Sequence, residues 1–193
     1  MTIRLITIVL SSVFVFSQLQ GCAALIGAGA VTGVAVATDR RTAGTMLDDQ
    51  MIEFQILDVV RADDELWQQT HLNATSINNI VLLTGEAPVD ELRSRIEALV
   101  HQIPKVRRVH NEMVIAAPSS VLSRSSDSWI TSKVKTNLLS WGLEEASLIK
   151  VVTENGSVYL MGLVTQDEAE TATELSRGVS GVQRVVKVFE YLD

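Results

Sequence analysis

The side chains able to do chemistry are few: one cysteine, Cys22, and three histidines, His71, His101 and His110. A helical zinc site needs histidines four residues apart, and no pair here has that spacing. Carboxylates are plentiful, as in Asp63-Asp64-Glu65 and in Asp167-Glu168 with Glu170, but no D-x-[DN]-x-[DN]-G loop is present to hold calcium. These clusters fit the first turns of helices, where negative charge is favoured. The serines at Ser119-Ser120 and in residues 123–128 lack a G-x-S-x-G setting. There is no G-x-G-x-x-G, and Gly27-Ala28-Gly29 follows no strand pattern, so no phosphate cradle is expected. No catalytic residue, metal or cofactor is expected, and the chain is expected not to be an enzyme.

The cysteine has a different chemistry open to it. Arg4 is followed by an almost wholly apolar, uncharged run over residues 5–16 and then by Leu19-Gln20-Gly21-Cys22. A membrane span needs about 20 apolar residues, so this shorter run suits a cleaved export signal. Leu19-Gln20-Gly21-Cys22 resembles the lipobox of bacterial lipoproteins. The resemblance implies a signal peptide over residues 1–21, a diacylglyceryl group on the Cys22 thiol, and a fatty acyl group such as palmitate on the new amino terminus. Each buried CH₂ contributes about 0.8 kcal/mol, so two or more chains anchor firmly where one holds marginally. Ala23, where an Asp would imply inner-membrane retention, implies an outer-membrane address with a periplasmic face. Residues 22–45, with Gly27, Gly29 and Gly33, are expected to be the acylated N-terminus and a flexible tether.

Loss of the signal would remove Arg4 and leave 15 basic against 23 acidic residues, a net charge of −8. That balance argues against nucleic acid as a partner, which requires basic surface. A single cysteine also excludes an internal disulfide, so stability must come from apolar cores.

The elements that could carry a site emerge from an internal repeat. Asp49-Gln50-Met51-Ile52 aligns with Asp127-Ser128-Trp129-Ile130 at an offset of 78, Leu83-Thr84-Gly85 with Leu160-Met161-Gly162 at 77, and Val106-Arg107-Arg108-Val109 with Val182-Gln183-Arg184-Val185 at 76. Two units follow, residues 46–115 and 124–193, joined by a serine-rich linker over 116–123 containing Pro118. Ile130, Val134 and Leu138, like Ile52, Ile56 and Val60, form the buried stripe of a helix. Residues 148–153 and 157–164 are β-rich runs joined at Asn155-Gly156, a type I′ hairpin pair, and Asn78-Asn79 holds the same place earlier. Thr165 and Glu168 form a capping box that opens a second helix, and Leu92, Ile96, Leu99 and Ile103 line its counterpart. A last strand is expected over 185–192, or 109–115 in the first unit. Each unit therefore reads α-β-β-α-β: an α+β fold with two helices packed on a three-stranded mixed sheet.

The order α-β-β-α-β, Gly85 and Gly162 after the second strand, and Val179-Ser180-Gly181-Val182 resemble the BON domain of bacterial envelope proteins. Two such units behind a lipobox, with Thr38-Asp39-Arg40-Arg41 upstream, are similar to dual-BON outer-membrane lipoproteins. The resemblance implies non-enzymatic work in outer-membrane integrity, at the division site, through binding of anionic phospholipids such as phosphatidylglycerol and cardiolipin by the second unit. Ile103-Pro104-Lys105-Val106 lacks the glycine that Gly181 supplies, which sets the first unit apart.

An internal comparison points to the same unit. Residues 46–115 carry 6 basic and 12 acidic side chains, net −6, whereas 124–193 carry 7 and 10, net −3. Over the first helices, residues 127–139 hold Asp127 against Lys133 and Lys135, while residues 49–61 hold Asp49, Glu53 and Asp58 against Arg61. Trp129 lies one step off the apolar stripe and four residues before Lys133, so the two share a face. An indole and an ammonium there suit a phospholipid boundary. Trp129, Lys133 and Lys135 are the candidate lipid contacts; the competing reading makes Trp129 a core residue matching Met51. Trp141 and Leu143 either extend that patch or close the core. A second functional reading is a protein-interaction scaffold that assists the outer-membrane protein assembly machinery, with the acidic first unit, residues 49–65, as its docking face.

Overall fold

The structure, a computed structural model, describes residues 39–192; the expected signal peptide, Cys22 and the chain up to residue 38 lie outside them. Thr42 caps α1 (Ala43–Arg61) by accepting a hydrogen bond from the Thr45 N–H, and Ile52, Ile56 and Val60 are its buried stripe, as expected. A short α2 (Asp64–Gln69) follows, capped by Asp63. Strands β1 (His71–Ile77) and β2 (Ile80–Ala87) pair antiparallel. Their turn places Asn78 and Asn79 at φ 51° and 62°, as a type I′ turn demands. After α3 (Asp90–Val100), β3 (Arg108–Asn111) and β4 (Val114–Ile115) both run parallel to β2. The strand expected over 109–115 is thus split at Glu112-Met113, where buried Met113 turns into the core and its N–H bonds the Asn111 side chain.

The second unit repeats the plan with α4 (Val121–Leu138), α5 (Leu143–Ser147), β5 (Lys150–Glu154), β6 (Ser157–Val164), α6 (Gln166–Arg177) and β7 (Arg184–Tyr191). The β5–β6 pair is antiparallel and β6–β7 parallel, which makes the mixed sheet expected. Asn155 and Gly156 take φ 49° and 73° at the hairpin, and the Thr165–Glu168 capping box is present. Helix α4 starts at Val121, so its first turn occupies the last part of the stretch read as linker. The short α2 and α5 add a turn of helix in each unit that the periodicity did not reveal.

Close backbone approach explains the paired glycines. A Cβ on Gly85, at φ +115°, would lie 2.0 Å from the His71 carbonyl oxygen, and one on Gly162 would lie 2.3 Å from that of Leu148. At both positions only a residue without a side chain lets the neighbouring backbone come this close.

Each unit has its own core between helices and sheet, built around Val81 and Leu83 in the first and Val158 and Leu160 in the second. The intervening residues point the other way. Leu82 joins Tyr159, Met161 and Val188 in a third apolar cluster, flanked by Ile77, Val152 and Val186. The two sheets therefore pack back to back, with the helices outside. Every residue of β2 is buried as a result. Polar contacts rim the seam: Asn73 Nδ2 to Glu154 (2.8 Å), Asn155 Nδ2 to Glu86 (2.6 Å), and Asn78 Nδ2 (2.6 Å) and Arg107 (2.7 Å) to Glu190. Ahead of α1, Arg40 reaches the second unit, donating to Glu168 at 2.6 and 2.7 Å and to the Leu163 carbonyl at 3.1 Å. Arg41 turns back onto Asp49 of the first unit at 2.8 Å.

Candidate functional site

Helix α4 is held at two points along its length. The buried Asp127 carboxylate, nearly two turns into the helix, accepts the backbone N–H groups of Asn155 and Gly156, each at 2.9 Å, and so fastens α4 to the β5–β6 turn. Asp49 does the same in the first unit for Asn78 and Asn79, at 2.9 and 2.7 Å. Towards its other end, Asn137 Nδ2 donates to the Leu175 carbonyl at 2.6 Å. With Ile130, Val134 and Leu138 buried, the rotation of α4 about its axis is determined.

That rotation leaves Trp129 66% exposed, which settles against a core position for it. Trp129, Ser132, Lys133 and Thr136 line an open groove of about 490 Å³, closed on its far side by Gly178 and Val179 after α6. The half-buried Lys133 places its ammonium on the Ser180 carbonyl oxygen. Among the described residues no carboxylate is within ion-pair reach of Lys133, so its charge stays uncompensated. Gly181, at φ +102°, brings this turn close over the helix; a Cβ there would sit 3.1 Å from Ile130. In the first unit Lys105 takes φ 72° at the same place, and its ammonium is paired with Asp48 at 2.7 Å.

The structure brings Trp129 and Lys133 together but not Lys135. Two residues further on is roughly 200° round a helix. Lys135 is exposed and does not line the groove, contrary to its grouping with the other two. Trp141 packs against the second core, whereas Leu143 is exposed. The groove's wall at Gly178 and Val179 was not read as part of the site, although the Val179–Gly181 sequence pattern was its visible signal.

Two further features escaped the sequence reading. On α1, Leu47, Met51 and Phe54 are all exposed at i, i+4 and i+7, within the acidic unit. Nearby, the Arg61 guanidinium lies 4.7 Å from the centre of the half-exposed Trp67 ring. At the seam, His71 Nδ1 and Glu86 Oε2 are 3.0 Å apart, and Glu154 of the second unit approaches them. Burial pushes the Glu154 carboxyl up, partly offset by the Asn73 amide. Burial acts on Glu86 the same way, but hydrogen bonds from Asn155, the Ser119 N–H and His71 leave it below its ordinary value.

Among the described residues no helix is long and apolar enough to cross a membrane. The BON domain pattern matches residues 48–117 and 126–193. The chain is 42% identical over 176 residues to the outer membrane lipoprotein DolP of Haemophilus influenzae, covering 91% of each chain. It is 34% identical over 154 residues to a 21 kDa hemolysin of Actinobacillus pleuropneumoniae, covering 80% of this chain and 79% of that one. Among solved structures, CdsD, a structural protein of the type III secretion system of Chlamydia trachomatis, is similar at 14% identity and a TM-score of 0.30, covering 75% of this chain and 63% of that one, a likeness too loose to bear on the fold.

Proposed function

The chain belongs to the BON-domain family, as a two-unit relative of the outer membrane lipoprotein DolP, and from that premise we propose that it is a lipid-anchored outer-membrane protein facing the periplasm whose second unit docks on anionic phospholipid. Acyl chains on Cys22 supply the permanent attachment. Trp129 and Lys133 supply a second, reversible one that selects where on the membrane the protein gathers, in support of outer-membrane integrity. The observation that carries this reading is the exposed Trp129 indole beside an ammonium that meets no carboxylate among the described residues, at an open groove. An indole belongs at the headgroup boundary, and each basic side chain near an anionic surface adds about 1 kcal/mol. The first unit lacks both elements, having Met51 and Gln55 at the matching positions.

Residues 39–193, freed of the anchor, test the proposal by co-sedimentation. Vesicles containing phosphatidylglycerol or cardiolipin should retain the protein at low salt, and purely zwitterionic vesicles should not. Equal retention by both, or by neither, would remove the second contact.

A scaffold reading draws on the exposed Leu47, Met51 and Phe54 of α1 in the acidic unit. An apolar strip with negative flanks fits a basic, amphipathic protein partner, such as a component of the outer-membrane protein assembly machinery. Crosslinking in cells through residue 51 that traps one stoichiometric protein, with no vesicle binding by residues 39–193, would favour it over lipid docking.

A further inference from the structure

We propose that His71, Glu86 and Glu154 form a divalent-cation site, suited to zinc, that fastens the two units together at their seam. The candidate ligand atoms lie within 4.8 Å of one another. His71 and Glu86 sit opposite each other in the β1–β2 register, and Glu154 ends β5 in the other unit. The three are distant in sequence, and the back-to-back packing of the sheets is what assembles them.

Charge at the seam is unbalanced. Glu86 is 1% exposed and Glu154 6%. Their polar partners are Asn155 Nδ2 (2.6 Å), the Ser119 N–H (3.2 Å) and His71 on Glu86, and Asn73 Nδ2 (2.8 Å) on Glu154. None is a lysine or an arginine, and the nearby Asp127 adds a further negative charge. One imidazole can balance at most one of two buried carboxylates. Burying a charge without a partner is costly, and proteins relieve it by pairing or by binding a cation.

A feature independent of charge points the same way. Thr84, 1% exposed, has a buried hydroxyl with no hydrogen-bond partner among the described residues, and it lies on the same face of β2 as Glu86, two residues away. The Ser119 hydroxyl is likewise buried and unpartnered among the described residues, on the residue whose N–H already bonds Glu86. Buried hydroxyls left without a partner call for an ordered water or an ion near them. One imidazole nitrogen with two carboxylate oxygens and a water makes the four ligands that zinc prefers, while magnesium and calcium favour oxygen alone. The Asn155 and Asn73 amides, each on a carboxylate oxygen, would orient those ligands from behind. A cation here would bridge the units, because Glu154 comes from one and His71 and Glu86 from the other.

The test uses the full chain in detergent, stripped with chelator and titrated with zinc chloride by calorimetry, with thermal unfolding followed in parallel. One zinc per chain and a raised unfolding midpoint are expected. Glu154→Gln keeps the shape and the Asn73 hydrogen bond but should weaken zinc by about a hundredfold or more and abolish the rise in midpoint. His101→Asn, on the exposed end of α3, should change neither. Cobalt substituted for zinc should show visible absorption that Glu154→Gln loses. Should the parent chain bind no zinc, or should Glu154→Gln bind it as tightly as the parent, the seam is closed by a proton and not by a metal, and the proposal fails.

Discussion

Removing the Trp129 side chain separates specific docking from diffuse electrostatic attraction. The indole is 66% exposed. A tryptophan side chain offers up to about 250 Å², and if half of its exposed part enters the headgroup boundary, about 80 Å² at about 25 cal/mol per Å² gives about 2 kcal/mol. Trp129→Ala should therefore weaken vesicle binding about thirtyfold. Trp129→Glu adds repulsion from an anionic surface and should cost about fivefold more. Lys133→Ala removes about 1 kcal/mol, again about fivefold. Lys135→Ala should stay within about twofold, because that ammonium lies roughly 200° round the helix from Lys133. Binding isotherms on phosphatidylglycerol vesicles measure all four in residues 39–193, with circular dichroism as a check on folding. An exposed position should tolerate these changes within about 0.5 kcal/mol of stability. If Trp129→Ala binds like the parent while the two lysine variants lose equally, the groove is irrelevant and the attraction is general.

Asp127→Ala would strand the buried Gly156 N–H and the partly buried Asn155 N–H of the β5–β6 turn and should lower stability by roughly 2–3 kcal/mol in urea unfolding. Asp49→Ala should cost more, since Asp49 also binds Arg41 and the Ser76 hydroxyl; the opposite ranking would contradict the role given to these clamps. Gly85→Ala forces a Cβ against the His71 carbonyl at positive φ and should cost more than about 2 kcal/mol by thermal unfolding. Arg40, helped by the Thr165 N–H, holds the Glu168 carboxyl down to about 2 from its ordinary 4.5. A depressed carboxylate stabilises the fold above its ordinary value, and that contribution drains away as pH falls from 4.5 towards 2. In Arg40→Ala the Glu168 midpoint should rise towards 4.5 in an NMR titration, and an unmoved midpoint would show that Arg40 is not its cause.

Local chemistry was legible in the chain. Asn78-Asn79 and Asn155-Gly156 specify their turns, Thr165 and Glu168 specify a helix start, and the Ile130–Val134–Leu138 stripe specifies which side of α4 is buried. Helices α2 and α5 are too short to show a period. The seam had a sequence signal that went unread. Ile80-Val81-Leu82-Leu83 and Val158-Tyr159-Leu160-Met161 run without the alternation of a sheet wet on one face, and continuous apolar strands of this kind are covered on both. What such runs do not encode is the register of one sheet on the other, which alone brings Glu154 to His71 and Glu86. Lys135 was misplaced for a simpler reason: a charge count along a helix ignores angle. The exposure of Trp129 was not legible: one residue off the stripe is a position where 3.6-residue periodicity leaves both outcomes open, and the packing of α4 decides it.

Arg40 and Arg41 are consecutive residues that grip different units, one on Glu168 and the Leu163 carbonyl, the other on Asp49. Any pull applied to the chain ahead of Asp39 arrives first at this fork. The load divides between both units and acts across several hydrogen bonds at once, as shear. The two arginines thus tie one short stretch of chain to both units at once.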